Sequence, residues 1–430
     1  MNPKSRQSFV QLLPALLVFA FCILMIATSR GMGETYGVFL LPMSESFGWN
    51  RANVTSVYAV YMISFGLGSL VSGVVYDRLG PRYNYTIGLL LLSTCYGFAG
   101  SMTSLVSFYL VIGICGGLGA AMVGIVPMQS LVSKWFRRGR TMALSIAYSG
   151  QGIGVMVMAP TAHVVIENKG WQGAYSLASY GFIAILVLVV LLPWRRIALG
   201  VSVPPMTKIS ENMKQGSKGR EAGSKTGINL RQAIRLPEFW GFFTIFGASA
   251  VSIFGISLEV VVYLVEQKFS IAQAAFAFGS MGMLTILGIA LTGILAERYP
   301  RHIIASVSYG LTFIGILALV ALQFYFSWVL LVVFVVTFGL SAGARGPIVT
   351  AQMAEMFAGR GLASIFGATN IGQGCGAGLG AFMAGYLFDL TGNYNIGFAM
   401  SFLFALLGLS MFWLVPAIRH GKRQDKSNSN

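Results

Sequence analysis

The chain has 430 residues, of which 56% are apolar and only 10% charged, with a formal net charge of +16. A soluble domain carries about a quarter of its residues as Asp, Glu, Lys and Arg, so this balance excludes an ordinary soluble globular chain. Apolar runs of about 18 or more residues recur from end to end; each can cross a bilayer as a helix, and the short alternating strands of a membrane barrel are not the pattern.

In chain order the runs predict twelve spans. Six lie at 13–41, 54–76, 84–102, 106–132, 141–166 and 174–194. Six more lie at 239–264, 272–295, 303–323, 327–352, 362–386 and 398–418. The first run is too long for the apolar core of a cleavable signal peptide, and no small-residue cleavage site follows a short core. The stretch 195–238 is rich in Lys, Arg, Gly and Ser and reads as a flexible cytoplasmic linker. The expected architecture is an all-α membrane protein: a six-helix bundle over 1–194, the linker over 195–238, and a second six-helix bundle with a short tail over 239–430.

The basic residues orient these spans. With both termini and the linker on one side, all but five of the 29 lysines and arginines fall on that side. Arg51, Lys169 and Lys268 fall opposite, and Arg30 and Arg345 lie inside spans. This bias marks the linker side as cytoplasmic, giving a multi-pass protein of the cytoplasmic membrane. It also accounts for the high net charge through orientation and contacts with anionic lipid head groups, without nucleic acid. Cys22, Cys95, Cys115 and Cys375 all lie in apolar segments and read as small hydrophobes. His163, His302 and His420 are too scattered to build a metal or nucleophile cluster. No cofactor, no metal and no enzymatic activity are therefore expected.

The halves repeat. GVVYDRLGPR (73–82) closes span two, and GILAERYPRH (293–302) closes span eight, 220 residues later. Pro127 matches Pro347 at the same offset, and SGQGIG (149–154) is echoed by IGQGCG (371–376). Parallel six-span repeats of this kind are a transporter feature, with substrate held between the halves near the midplane.

GVVYDRLGPR resembles the loop 2–3 motif of the major facilitator superfamily. Three other stretches resemble its monocarboxylate transporter and oxalate/formate antiporter branch: YGVFLLPMSESFGWNRANVT, KWFRRGRTMALSIAYSGQGIG and VVYLVEQKFSIAQAAFAFG. The resemblance covers nearly the whole chain. It implies the major facilitator fold, two pseudo-symmetric bundles of six helices. It also implies that Gly73, Asp77, Arg78, Gly80 and Arg82 form a conformational latch. Gly73 and Gly80 permit close helix approach and a tight turn, and Asp77 is expected to pair with a basic group or helix end across the cytoplasmic interface. The second copy, with Glu297 for Asp and an intruding Pro300, is expected to matter less.

Four charges lie inside predicted spans: Arg30 and Glu34 in span one, Glu259 in span seven and Arg345 in span ten. Each costs roughly 2.5–3.5 kcal/mol at midplane on insertion scales, so they need partners or a wet cavity. Arg30 and Glu34 are i,i+4 and able to pair with each other. The resemblance implies that spans one, four, seven and ten line a central cavity. It also implies a span-eight arginine, in whose place Ile289 stands here. On this reading Arg30 and Arg345 receive a substrate carboxylate, a task suited to the planar guanidinium. Glu34 and Glu259 carry a coupling proton. Gln129, Gln151, Asn370 and Gln373 are further polar candidates for substrate contact, although helix–helix hydrogen bonds serve such amides equally well.

The expected function is proton-coupled symport of a small, monocarboxylate-like organic anion by alternating access, in a carrier functional as a monomer. Organic anion exchange of the oxalate/formate type is the alternative. Export of lipophilic cations is the weaker third, because two intramembrane arginines oppose it.

Overall fold

A computed structural model describes residues 3–49, 51–136, 140–194, 197, 228–357 and 361–420. Most of the expected linker, from 198 to 227, lies outside the described residues. The described chain is helical, with no strand among its residues. Nine described helices are long and apolar enough to cross a membrane. One of them, Thr141–Leu191, takes in the expected spans five and six, which meet at a kink where Gly170 adopts φ 71°. The expected spans three and eleven are the helices Pro81–Ala99 and Leu362–Thr391. Arg82, Asn84 and three tyrosines dilute the first and glycines dilute the second, so neither is among the nine.

Several of the expected spans are broken rods, the first, fourth, seventh and tenth among them. The first is α1 (Pro3–Glu34) and α2 (Tyr36–Phe47), divided at Thr35, whose hydroxyl turns back onto Gly31 O at 2.6 Å. The second span is a single helix, α3 (Arg51–Leu79), and α4 is Pro81–Ala99. The fourth comprises α5 (Leu105–Phe108), a π-helical stretch (Tyr109–Gly116), α6 (Gly117–Val123) and α7 (Ile125–Trp135). Gly124, with φ −85° and ψ −131°, separates α6 from α7. Next come α8 (Arg140–Tyr148) and α9 (Gly150–Leu191), then a short α10 (Leu230–Ala233). The seventh is α11 (Pro237–Ser257) and α12 (Val260–Glu266), parted at Leu258 and Glu259. Then follow α13 (Ile271–Arg298), α14 (Arg301–Leu322), and the tenth, α15 (Trp328–Ala342) with α16 (Arg345–Met356), parted at Gly343 and Ala344. The chain closes with α17 (Leu362–Thr391), α18 (Asn395–Leu414) and α19 (Pro416–His420). The breaks at Gly124 and Gly343–Ala344 keep the 220-residue offset of the sequence repeat. Carbonyls and amides freed at such breaks are tolerated in a membrane only where protein or a wet cavity satisfies them.

Local sequence explains the element ends. Gly80, with φ 87°, makes a turn that a side chain would strain, and Pro81 then starts α4 with its ring already at a helical φ. Ser270 and Gln273 form a reciprocal capping box at the start of α13. Leu67, Leu188, Leu287 and Leu317 point outward, the apolar exterior expected where lipid is the solvent.

Two seams join the helices before the expected linker to those after it. In one, α3 runs antiparallel to α17: Gly374 lies on Gly66, Gly367 on Ser69, and Gly73 on Ala363 and Ser364. In the other, α8 and the start of α9 meet α13, with Gly293 on Ser145 and Gly152 on Ile286. Lipid tails are as apolar as leucine, so this close packing of backbones supplies the association that hydrophobicity supplies in water. Gln352 donating to Ile418 O, and Gly361 lying beside Ile228 and Asn229, put the carboxyl-terminal helix and the end of the linker at one end of the molecule, here the linker end.

Candidate functional site

Arg30 and Glu34 stand one turn apart at the end of α1, just before its break. Arg30 Nη2 lies 2.8 Å from Glu34 Oε1, and Gln151 of α9 donates to the same oxygen at 2.9 Å. The Arg30 guanidinium also lies 5.3 Å over the Phe65 ring of α3, a cation–π contact. Gln151 reaches Glu34 because α9 crosses α1 almost without side chains between them: Gly150 rests on the backbone of Ile23 and Gly154 on that of Ala27. Ser29 ties the same turn to α6 by donating to Ala120 O at 2.7 Å. The cluster is electrically neutral. Arg30 is only 4% exposed, and its Nε has no hydrogen-bond partner. The guanidinium thus meets Glu34 through one nitrogen and one oxygen rather than as a bidentate fork. Protonating Glu34 would dissolve the pair and leave a planar cation ready for another carboxylate.

On the linker side of this cluster, Gln129 of α7 donates its amide to the hydroxyls of Tyr148 on α8 and Thr350 on α16, the latter at 2.9 Å. The two hydroxyls are 3.1 Å apart. This triad spans the halves, and Gly346 packs on the Tyr148 ring just above it. Gln129, expected as a substrate contact, has both amide hydrogens engaged here.

The structure does not bring the other expected residues to the Arg30 cluster. Arg345 is 4% exposed and turned toward α14, donating to the hydroxyls of Ser308, at 3.2 Å, and Thr312. Its guanidinium lies 4.0 Å over the Tyr309 ring. Asn370 donates to Phe366 O of its own helix at 2.8 Å. Gln373 has a buried amide oxygen without a hydrogen-bond partner. Glu259 opens α12, with its carboxylate near the backbone of Gly385.

At the linker end, Asp77 accepts from the backbone N–H of Ser364 at 2.9 Å and from its hydroxyl at 2.7 Å. The carboxylate thereby occupies the first turn of α17, where free N–H groups and the helix dipole favour an anion. Lys134 lies 4.7 Å over the neighbouring Tyr76 ring. Arg78 and Arg82 are exposed, and Arg78 lines a crevice of about 300 Å³ together with Asp77, Asn229 and Leu230. The second motif copy makes the mirrored contact: Glu297 accepts from Met142 N, in the first turn of α8, at 3.3 Å. Close by, Arg301 and Glu355 form a bidentate pair with both contacts at 2.7 Å.

Sequence reasoning passed over Tyr148, Thr350, Phe65, Ser364 and the Ser308–Tyr309–Thr312 face. None of them carries a local signal: Ser364 is the third residue of α17, whose N-cap is Gly361, and its role comes from Asp77 of the other half.

A bundle of apolar, broken helices with a buried ion pair in its interior and carboxylates on helix ends at the seams between its halves defines a polytopic membrane carrier. The chain belongs to the Major Facilitator Superfamily, whose profile matches residues 19–381. It is 28% identical over 421 residues to monocarboxylate transporter 12 of Mus musculus, covering 91% of this chain and 84% of that protein. It is 25% identical over 389 residues to monocarboxylate transporter 13 of Rattus norvegicus, covering 90% and 85%. It is 24% identical over 427 residues to the uncharacterized MFS-type transporter YcxA of Bacillus subtilis (strain 168), covering 96% and 97%. The protein is a multi-pass membrane transporter and not an enzyme.

Proposed function

We propose that the protein carries a small organic anion together with a proton, and that Arg30 and Glu34 are the exchange point between the two. The supporting observation is the buried Arg30–Glu34 pair at 2.8 Å, steadied by Gln151. While Glu34 is ionised it occupies the guanidinium. A proton on Glu34 cancels its charge and frees Arg30, and an incoming carboxylate takes the vacated place in a bidentate geometry. Deprotonation on the other side restores the pair and expels the anion. Cargo and proton thus leave together, and a monocarboxylate crosses without net charge. The names of the mammalian relatives agree with a carboxylate cargo.

The lysine and arginine bias supports placing the linker end in the cytoplasm, with both termini there, in a cytoplasmic membrane. The expected division into 1–194 and 239–430 supports alternating access between two halves, with Asp77 on the first turn of α17 latching the cytoplasmic side. Arg345, held within the second half, serves on this reading to steady the break in the tenth span.

The test is a thermal-shift screen of the purified protein against small mono- and dicarboxylates at two pH values, followed by uptake of the best ligand into proteoliposomes. A ligand that binds the folded carrier raises its melting temperature. The expected results are larger shifts at the lower pH, loss of binding in Arg30→Ala, and in Glu34→Gln a binding that no longer depends on pH. An Arg30→Ala protein with parental uptake would refute the assignment. Pure exchange, with no proton movement in the parent protein, would replace symport with antiport.

A further inference from the structure

The geometry points to Gln129, Tyr148 and Thr350 as a buried gate that closes the path from the central site to the linker end. The inference rests on the alternating-access reading but not on any particular cargo. All three side chains lie deep in the protein, with Gln129 and Thr350 at 0% exposure. Gln129 and Tyr148 belong to the first half, and Thr350 belongs to the second. Thr350 is joined to Gln129 by one bond and to the Tyr148 hydroxyl by another. Any motion that separates α16 from α7 and α8 must break both bonds in the same step.

The triad's depth places it as a floor. Gly150, two residues beyond Tyr148, rests on Ile23, and Gly154 rests on Ala27, so Tyr148 stands on the linker side of Arg30 by about two helical turns. The Asp77 and Glu297 contacts lie farther out, at exposed helix ends. The triad differs from them in being out of reach of water, so its bonds face no competing solvent while it is shut. It is also wired to the site. Tyr148 ends α8, Ser149 is the break, and Gln151, which holds Glu34, lies in the first turn of α9. A change in the hold on Glu34 therefore acts on a chain segment three residues from the gate. Tyr148 and Thr350 are positioning residues in this scheme.

The partition of the triad between the halves suggests a clean perturbation. Thr350→Val removes both bonds between the halves and leaves the Gln129–Tyr148 bond, within one half, intact. Tyr148→Phe removes one bond between the halves and keeps the ring. Spin labels at Tyr83 and Tyr299, both exposed at the linker end on opposite halves, read the opening as a distance distribution by pulsed electron resonance. The four native cysteines are first replaced by alanine in the full-length protein in lipid nanodiscs, without substrate or gradient. A shift to longer distances is expected in Thr350→Val and Tyr148→Phe, with the parental distribution restored in Thr350→Ser, which keeps the hydroxyl. Parental distances in both Thr350→Val and Tyr148→Phe, or long distances persisting in Thr350→Ser, would overturn the gate. Because the readout needs neither anion nor proton, a failure of the Arg30–Glu34 scheme leaves this result standing, and the reverse also holds.

Discussion

Gly73→Ala is the substitution whose effect follows most directly from the packing. A Cβ built at Gly73 lies 2.3 Å from Ala363 O, 2.8 Å from Ala363 C and 2.9 Å from Ser364 Cα. All three obstacles are backbone atoms, so no rotamer change relieves them. Ordinary contact begins near 3.4 Å, so α3 and α17 must part by about 1 Å at this point. Forcing a methyl group into packed structure costs about 1–3 kcal/mol. Because the two helices belong to different halves, the molecule escapes that cost by opening the seam at the linker end. The Asp77–Ser364 bonds, one turn away, are stretched at the same time. The conformational equilibrium should therefore move toward the linker-open form by about 5- to 150-fold. Labels at Tyr83 and Tyr299 measure that shift, and a melting curve separates it from unfolding. Parental distances together with a parental melting temperature would refute the steric reasoning.

Three further outcomes are expected. Gly154→Ala meets Ala27 O at 2.4 Å, but within one half, so it has no conformational escape; it should lower the melting temperature while leaving the label distances of the surviving folded protein unchanged. Asp77→Asn removes a carboxylate from an exposed helix start, a contribution of about 0.3–1 kcal/mol; the protein should insert and melt nearly as the parent does, with slower turnover in proteoliposomes, and parental turnover would remove Asp77 from the latch. Arg345→Met should leave substrate KM unchanged, since the described contacts of the guanidinium, with the Ser308 and Thr312 hydroxyls and the Tyr309 ring, all lie within its own half.

Much of this molecule can be read from its residues, for identifiable reasons. Run length and apolarity report helices because a bilayer demands uninterrupted backbone hydrogen bonding. The helix breaks were hidden. GAAMVGIVP is apolar on both sides of Gly124, and nothing in the composition announces its ψ of −131°. Arg30 and Glu34 were visible as a pair because helical spacing alone brings i and i+4 together. Their third member, Gln151, stood among the candidates, but its bond to Glu34 crosses 117 positions of sequence and depends on how α9 leans on α1. The direction of Arg345 was illegible for a related reason: the break at Gly343 and Ala344 resets the phase of α16, so the face it presents cannot be counted from α15. The bond from Gln129 to Thr350 depends on how the halves dock, a relation that no local pattern encodes.

The α3–α17 seam has a mechanical consequence. Helices that mesh through large side chains hold register like cogs, because ridges seat in grooves and each step over a ridge is a barrier. Here Gly66, Gly73, Gly367 and Gly374 bring bare backbone against backbone, and the contact is nearly smooth along its length. On the alternating-access proposal such a contact would act as a plain bearing without teeth: one half would travel over the other against little friction in the middle of the stroke, and the Asp77–Ser364 contact would be the stop at the linker end.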